Sequence, residues 1–309
     1  MTRVLAIRTD QTPTTTELTA RDVFNIWLND QSELTQTVCR AEVTAFLEWA
    51  GKPAPDIHSG DVVGYKQALA DSGMAPTTIA KKLSALRSFY KVCHAQGLTP
   101  TNPTAGVKLP KVKDETSRGI LSLAEVEKLF AQVDTSTVLG LRDRAILALM
   151  LVNGLREVEI ARANYGDLKE VTGIRVLVVH GKGGREDETV LRDDVHRTLM
   201  DYLETRDDLE PSSPLFVGVN HRASRRMSTR TIRHRIDSYL RQAGLKREGV
   251  SGHSLRHTAI TWPILAGASL VQAMELARHA DPRTTKRYFH NLDKLREHAV
   301  NLSPIEIEP

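Results

Sequence analysis

The sequence contains little cysteine and no long apolar run. Cys39 and Cys93 are the only cysteines in 309 residues, and they lie far apart and outside any CxxC pair. A disulfide framework or a cysteine-based zinc site is therefore not expected, and a reducing compartment fits this composition. No apolar stretch reaches about 18 residues, and the N-terminus lacks the apolar segment of a secretory signal. We therefore expect a cytoplasmic protein without a membrane span.

A complete metal shell and a phosphate-binding P-loop are also missing. His253 and His257 have the spacing of two metal ligands on a helix, but Ser254 stands where a zinc protease carries glutamate. No cysteine or carboxylate nearby completes a metal shell. The sequence therefore predicts an activity that needs neither a metal nor a nucleotide cofactor.

Positive charge is concentrated in one stretch of the chain. The formal net charge is +4 and the isoelectric point is about 9.0, which is compatible with nucleic-acid binding but does not establish it. Residues 221–235 carry six arginines and no acidic residue. This density favours contact with DNA phosphates, and the alternative is a solvated basic helix. The arginines that we predict to contact DNA are Arg225, Arg226 and Arg230.

Length and patterning predict two domains. Residues 1–16 have the composition of a flexible arm, residues 17–105 are mostly helical, and residues 106–118 are predicted to form a linker. Within residues 75–98, apolar side chains recur at helical spacing, at Ile79, Leu83, Leu86 and Tyr90. The other faces of this helix carry basic residues that are either solvated or lie along a DNA groove: Lys81, Arg87 and Lys91.

The second domain, residues 119–309, is predicted to combine helices with a small antiparallel sheet. Ser122 and Glu125 form a capping box at its first helix. Residues 174–191 are rich in β-branched side chains and contain a glycine turn, which predicts a β-hairpin. The fold class is therefore mainly α, with a helical N-terminal domain and an α+β C-terminal domain. Further helices are predicted over residues 192–206, 227–243, 254–266, 269–278 and 283–300.

The second domain holds an arginine–glutamate pair and an isolated lysine that suit phosphate chemistry. Arg156 follows a glycine turn at the start of a short helix, and Glu159 lies on the same helix face. An arginine held by a carboxylate is pre-oriented to bind a phosphate, although a plain surface ion pair is the alternative. Lys182 stands at the glycine-rich tip of the predicted hairpin, where it is either merely exposed or able to enter a groove.

Two later segments add histidines, an arginine and a tyrosine. His253 and Arg256 share a helix face, so both can address one anion, whereas His257 is predicted to pack or to form a hydrogen bond inside the domain. His279 precedes Tyr288 by nine residues. The basic residues around the tyrosine favour its phenolate form.

Together these residues meet the needs of attack on a phosphodiester. Arg156 and Arg256 can neutralise the phosphate oxygens. Tyr288 can act as the nucleophile and form a phosphotyrosine. Lys182 can protonate the departing 5′-oxygen, and the histidines can accept the phenol proton or bind the phosphate.

These segments closely resemble the motifs of the tyrosine recombinases, the phage-integrase family. The matching pieces are GLREVEI with Arg156 and Glu159, GKGGRE with Lys182, HSLRH with His253 and Arg256, and RHADPRTTKRY with His279 and Tyr288. The resemblance implies a SAM-like core-binding domain before the catalytic domain, in a layout most similar to the Xer and transposon-resolvase branches. It also implies cutting and rejoining of DNA through a 3′-phosphotyrosyl intermediate and a Holliday junction, without ATP.

The same resemblance implies partners and a setting. The partners would be a double-stranded DNA recombination site, a tetramer of this chain on two synapsed sites, and accessory DNA-bending proteins in some systems. The tail after Tyr288 would dock onto a neighbouring copy. The setting would be the nucleoid of a prokaryote or a mobile element.

Two positions depart from the family pattern, and two other functions compete. Arg278 stands where many members carry glycine, and Pro263 lies inside a predicted helix, where we expect a kink. A type IB topoisomerase-like enzyme would nick and reseal DNA without exchanging partners. A non-enzymatic DNA-binding regulator on the same fold would show a broken catalytic set, whereas all six expected positions are filled here.

Overall fold

The computed structural model describes residues 18–29, 33–111, 119–181, 184–220, 223–279, 281–286 and 288–289. The chain forms two compact units, residues 1–114 and 115–309. The predicted arm, Lys182 and the predicted docking tail from residue 290 onward lie outside the described residues. None of the helices in these ranges has the length and apolar character needed to cross a membrane.

The first unit is a helical bundle arranged around its last helix. The helices are α1 (Ala20–Asn29), α2 (Glu33–Ala50), α3 (Ser59–Asp71) and α4 (Pro76–Ala95). Helix α4 contacts each of the other three, and its predicted apolar stripe is buried in the core. The core also contains the packed rings of Trp27, Phe46 and Phe89. Helix α2 ends at Ala50, and Gly51 follows it with a positive φ of 62°, as is common after a helix end.

The chain after α4 packs against the first unit. Val107 is buried in its core, and its carbonyl accepts a hydrogen bond from Arg87 at 2.7 Å. Lys66 donates to the carbonyl of Lys108 at 2.9 Å. The first residues of the segment interpreted as a linker are therefore bound to this unit, and residues 112–118 lie outside the described ranges.

The second unit surrounds the apolar helix α6. Almost every residue of α6 from Ala145 onward is buried, and the helix contacts both α8 and α10. The capping box of Ser122 and Glu125 begins α5, as predicted. The elements in chain order are α5 (Leu123–Phe130), α6 (Val138–Leu151), α7 (Glu157–Arg162), β1 (Leu168–Val171), β2 (Ile174–His180), β3 (Glu186–Val190), α8 (Asp193–Leu203), β4 (Val217–Asn220), β5 (Ala223–Arg226), α9 (Thr229–Gln242), α10 (Gly252–Leu265) and α11 (Leu270–Ala277).

The sheet content exceeds the prediction. The predicted hairpin is confirmed as β2 and β3, and β1 extends it to a three-stranded antiparallel sheet. A second antiparallel pair, β4 and β5, takes up part of the arginine-rich stretch that could have formed a basic helix throughout. The helix in that stretch begins only at Thr229, because the Ser228 side chain caps α9 by accepting from the backbone N–H of Thr231.

Two chain turns, at Gly154 and Arg278, lie next to the ends of helices that carry the predicted site. Gly154 follows α6 with a φ of 60°, so the chain turns and brings Arg156 to the start of α7. Helix α10 continues through Pro263 and ends at Leu265. Helix α11 ends in a left-handed residue, Arg278, with a φ of 50°. Residues 282–286 are again helical and cover the start of the last predicted helix.

A buried ionic cluster connects α6 with α9. One carboxylate oxygen of Asp143 accepts from Nε of Arg142 at 2.9 Å, and the other accepts from Nε of Arg235 at 2.7 Å and from the Tyr239 hydroxyl at 3.0 Å. The side chains of Asp143 and Arg142 are 2% and 4% exposed. Removing the shared carboxylate would leave a buried guanidinium without its counter-ion, which is the costly way to break such a pair.

We predict that Asp143→Ala lowers the free energy of unfolding of the second unit by about 3–5 kcal/mol. The matched control is Asp237→Ala, which removes a more exposed partner of Lys246 and should cost less than about 1 kcal/mol. Hydrogen exchange of the α6 backbone amides during a urea titration measures both values. Equal losses in the two variants would show that the Asp143 cluster does not stabilise the fold.

Candidate active site

The arginine–glutamate pair predicted from the sequence forms at the start of α7. Arg156 is the N-cap residue, and its backbone N–H donates to Oε2 of Glu159 at 2.7 Å. A guanidinium N–H of Arg156 donates to Oε1 at 2.5 Å. The Glu159 side chain is 3% exposed and that of Arg156 is 38% exposed. The buried carboxylate therefore holds a guanidinium that solvent, or a ligand, can still reach.

The charge state of Glu159 is set by its cationic neighbours. Burial alone raises the pKa of this carboxyl, but Arg278, the backbone N–H of Arg156 and the Arg156 guanidinium outweigh burial and hold the pKa below its usual value. Glu159 is therefore ionised at neutral pH.

Arg256 lies on α10 and connects the ends of two other helices. Its guanidinium donates to the carbonyls of Gly154 and Ala277 and, at 3.3 Å, to Nε2 of His279. Burial and then the charge of Arg156 lower the pKa of Arg256 to about 9, so it remains protonated at neutral pH. Positive charge is thus in excess here, and a bound anion would be stabilised by it.

His279 is held in one tautomer between Arg256 and Thr285. A guanidinium only donates, so Nε2 of His279 accepts from Arg256, and Nδ1–H donates to the Thr285 hydroxyl at 2.9 Å. Burial, followed by the charges of Arg256 and Arg156, lowers the pKa of His279 to about 4. The imidazole is therefore neutral at neutral pH.

His253 lies at the solvent-accessible rim of the same cluster. Its ring meets that of His257 edge-on, with 4.5 Å between the ring centroids. Partial burial and the charges of Arg256 and Arg156 lower the pKa of His253. The two arginines thus act on both His253 and His279, as expected for groups that surround one anion-binding position.

Within the second unit, Tyr288 contacts α10 through His257. The hydroxyl forms a hydrogen bond with Nδ1 of His257, and the two ring centroids are 5.4 Å apart. The tyrosine is 8% exposed and packs in an apolar cluster with Ile260, Ile264 and Ala273. In this position the Tyr288 hydroxyl is engaged in a hydrogen bond with His257 of α10.

The structure therefore brings together five of the six predicted catalytic residues and Glu159. Arg156, His253, Arg256 and His279 form the cationic cluster, and Tyr288 adjoins it through His257. Lys182 lies outside the described residues.

The predicted DNA-contacting residues are all exposed. Lys81, Arg87 and Lys91 lie on exposed positions of α4, and Arg225 and Arg230 are exposed around the start of α9. Arg226 also forms hydrogen bonds within the second unit. Its guanidinium donates to the carbonyls of Ala161 and Ala163 at 3.0 Å each and to the side chain of Asn164.

Sequence reasoning missed three contributors to the site. His257 binds the tyrosine hydroxyl, and Thr285 fixes the tautomer of His279. Arg278 forms an ion pair with Glu159 at 3.1 Å. Its position was noticeable in the sequence only as an arginine in place of a common glycine. His257 was predicted to pack or to form a hydrogen bond inside the domain, but its partner was not named. Thr285 carried no signal, because a threonine on a helix face is an ordinary core or surface residue.

Two family models match the chain, one on each unit. The phage integrase family model matches residues 120–294, and the model of the phage integrase N-terminal SAM-like domain matches residues 22–97. The first match covers more than half of the chain and includes every residue of the cationic cluster.

Bacterial recombinases are similar to this chain over most of their length. Tyrosine recombinase XerC of Myxococcus xanthus is 35% identical over 230 residues, which cover 73% of this chain and 75% of the relative. Tyrosine recombinase XerD of Rhizobium meliloti is 29% identical over 272 residues, covering 85% and 86%.

Solved structures share the fold at low sequence identity. The XerH site-specific recombinase bound to its palindromic difH substrate, in a post-cleavage complex, has a TM-score of 0.71 at 18% identity and covers 92% of this chain and 84% of its own. The Tn1549 transposon integrase in complex with circular intermediate DNA has a TM-score of 0.70 at 14% identity and covers 88% and 95%. The chain belongs to the phage integrase family and is a site-specific DNA recombinase of the tyrosine class.

Proposed function

We propose that this recombinase cuts and rejoins DNA strands with Tyr288 as the nucleophile. The phenol oxygen attacks the scissile phosphorus, and the bond to the 5′-oxygen breaks, which gives a 3′-phosphotyrosyl link and a 5′-hydroxyl. Attack by the 5′-hydroxyl of a partner strand then releases the tyrosine and forms the new phosphodiester. Each phosphate ester bond that breaks is replaced by a new phosphate ester, so the bond energy is conserved and no ATP is needed.

The observation that carries this proposal is the convergence of Arg156 and Arg256, 100 residues apart in sequence, beside His279. Both guanidiniums depress the pKa of the same histidine, and both belong to one hydrogen-bonded cluster that includes Glu159 and Gly154. Two fixed guanidiniums can bind the non-bridging oxygens of a phosphate and stabilise the charge that builds on them during attack.

The histidines support the phosphate and the tyrosine in different ways. His253 has a lowered pKa and is neutral at neutral pH, so its ring N–H can donate to the phosphate without adding charge. His279 donates its only N–H to Thr285, so it can donate to the phosphate only when Nε2 gains a proton. His257 binds the Tyr288 hydroxyl and is placed to accept the phenol proton. Because the hydroxyl is held by His257, attack on a phosphate requires Tyr288 to leave this contact.

We assign the proton for the leaving 5′-oxygen to Lys182. Gly181 follows β2 and directly precedes Lys182 in the sequence. It lies beside α7, because Arg162 at the end of α7 donates to the carbonyl of Gly181 at 3.2 Å. Gly181 also closes the turn with Arg185 through a backbone hydrogen bond of 2.7 Å. Lys182 thus directly follows a residue that is held close to α7, the helix that Arg156 begins.

Several finer features belong to the same proposal. The DNA-contacting residues are Lys81, Arg87, Lys91, Arg225, Arg226 and Arg230. Four copies would synapse two sites and pass through a Holliday junction, with the segment after Phe289 docking on a neighbour and accessory DNA-bending proteins in some systems. Because the substrate is DNA, the protein would act in the bacterial cytoplasm, on the chromosome or on a transposon.

Tyr288→Phe is expected to abolish covalent capture of DNA, because the ring remains but the attacking oxygen is lost. A pool of duplexes with randomised sequence is incubated with the wild type, and SDS-resistant adducts are isolated and sequenced. The selected duplex is then bound by the variant with a change in Kd of less than about threefold, but no adduct forms.

Tyr165→Phe is the matched control and should form the adduct at the wild-type rate. An adduct formed by Tyr288→Phe would assign the nucleophile to another residue. A plasmid with two copies of the selected site distinguishes recombination from topoisomerase activity, since only a recombinase yields deletion or inversion products.

Arg156→Ala is expected to slow cleavage of the selected duplex by about 10²–10³-fold, because one fixed donor to the developing charge is lost. Binding should weaken by less than about tenfold, since one phosphate contact contributes little to total affinity. Single-turnover adduct formation and a filter-binding titration measure the two quantities. Arg192→Ala, which removes an exposed arginine of similar shape paired with Asp194, should leave both unchanged. An unchanged cleavage rate in Arg156→Ala would remove Arg156 from the site.

The low pKa of His279 predicts a pH dependence of stability. The folded-state pKa is about 4, below the unfolded value of roughly 6.5. As pH falls from about 6.5 to about 4, His279 binds a proton in the unfolded state but not in the folded state, so its contribution lowers the free energy of unfolding over that pH range.

NMR titration of the His279 ring is expected to show a midpoint near 4 without DNA and a higher midpoint with the selected duplex, because a phosphate favours imidazolium. A midpoint that DNA leaves unmoved would place the phosphate elsewhere.

A further inference from the structure

Arg278 occupies a backbone conformation that does not suit an arginine. Its φ of 50° and ψ of 44° lie in the left-handed region, which glycine adopts at the ends of helices without steric cost. The N–H of Arg278 donates to the carbonyl of Glu275 and that of His279 to the carbonyl of Met274, which completes a Schellman ending of α11. Because glycine would serve this backbone better, the reason for an arginine must lie in its side chain.

The side chain of Arg278 reaches beneath both arginines of the proposed phosphate site. It is 3% exposed and forms an ion pair with Oε2 of Glu159 at 3.1 Å, the carboxylate that also binds Arg156. The same nitrogen donates at 3.1 Å to the carbonyl of Gly154, which also accepts from Arg256. Arg278 thus shares one acceptor with each of the two guanidiniums.

Further contacts fix the Arg278 guanidinium in place. Its other terminal nitrogen donates to the carbonyl of Asn153 at 3.2 Å and to that of Leu276 at 3.0 Å. These acceptors lie at the ends of α6 and α11. The guanidinium therefore joins the two helix ends that carry the site and is not positioned to turn outward towards a ligand.

The charge of Arg278 changes the balance of the cluster. Arg156, Arg256 and Arg278 contribute three positive charges, and Glu159 contributes one negative charge, which leaves two positive charges. Without Arg278, Glu159 would cancel half of the remaining positive charge and leave only one. A phosphodiester carries one negative charge, whereas its five-coordinate transition state carries two. The second positive charge therefore acts more strongly on the transition state than on bound DNA.

We propose that Arg278 is a positioning residue for strand cleavage, which neutralises Glu159 and holds the Gly154 carbonyl so that Arg156 and Arg256 present a doubly positive site to the transition state. The inference rests on the proposed function, since it concerns the same phosphate. Arg278 acts through Glu159 and Gly154, and it does not touch the DNA.

The test uses Arg278→Gly and Arg278→Lys in the full-length protein. Glycine fits the left-handed backbone, so the first variant removes the guanidinium without adding strain, and the second keeps the charge. With the selected duplex, Arg278→Gly is expected to lower the single-turnover cleavage rate by roughly 10- to 100-fold, with a change in Kd below about threefold. Arg278→Lys should cleave faster than Arg278→Gly. Thermal melting compares the folding of both variants with the wild type.

A second substrate separates an electrostatic role from a merely structural one. The duplex carries a methylphosphonate at the scissile position, which removes one negative charge from both the ground state and the transition state. The methylphosphonate transition state then carries one negative charge, which the single net positive charge left in Arg278→Gly can balance, so on this duplex the rate difference between wild type and Arg278→Gly is expected to shrink to below about threefold. Replacing Glu159 with glutamine in the Arg278→Gly protein restores two positive charges, and the double variant should cleave the ordinary duplex faster than Arg278→Gly.

Three results would overturn the inference. Cleavage by Arg278→Gly at the wild-type rate would show that the side chain has no part in the reaction. The same fold-loss on the ordinary and the methylphosphonate duplex would show a structural role only. A wild type that cleaves neither duplex would contradict the proposed function itself, and the inference with it.

Discussion

One buried carboxylate organises the site of this recombinase. Glu159 is almost fully covered, and an ionised group in that position is tolerated only with charged and hydrogen-bonding partners. Its partners are Arg156, at the start of its own helix, and Arg278, at the end of α11. The need to satisfy one charge therefore brings together two segments that are more than 100 residues apart, and it orients the guanidinium that solvent can reach.

The need of buried polar groups for partners also links the helix ends to the second guanidinium, that of Arg256. The last carbonyls of a helix have no partner within the helix. Arg256 donates to the carbonyl of Ala277, the last residue of α11, and to that of Gly154 after α6. A residue that binds phosphate in our proposal thus also links α10 to the ends of α6 and α11, so the anion site and the fold of the second unit depend on the same contacts. The apolar core around α6 and α10 sets the distance between these ends.

The proposed nucleophile, Tyr288, is kept apart from the cluster that would activate its target. Tyr288 packs among apolar side chains and bonds to His257, whereas Arg156 and Arg256 carry the positive charge beside a neutral His279. Burial first, and then the positive charge of neighbouring arginines, lowers the pKa values of Arg256 and His279. A bound DNA phosphate would offset this positive charge. In our proposal the same phosphate is the group that Tyr288 must approach in order to attack.

The sequence by itself determined the local features and the chemistry of this protein. Capping residues, apolar periodicity and glycine turns act between neighbours in the chain, so the helices, the β2–β3 hairpin and the Arg156–Glu159 pair followed from residue order, and the motifs indicated the family. Only the tertiary structure decided which side chains share acceptors. The roles of His257, Thr285 and Arg278, the added strand β1 and the β4–β5 pair depend on contacts between distant segments. Such contacts produce no periodic pattern in the sequence, because they join residues far apart in the chain and depend on how the helices and strands pack together.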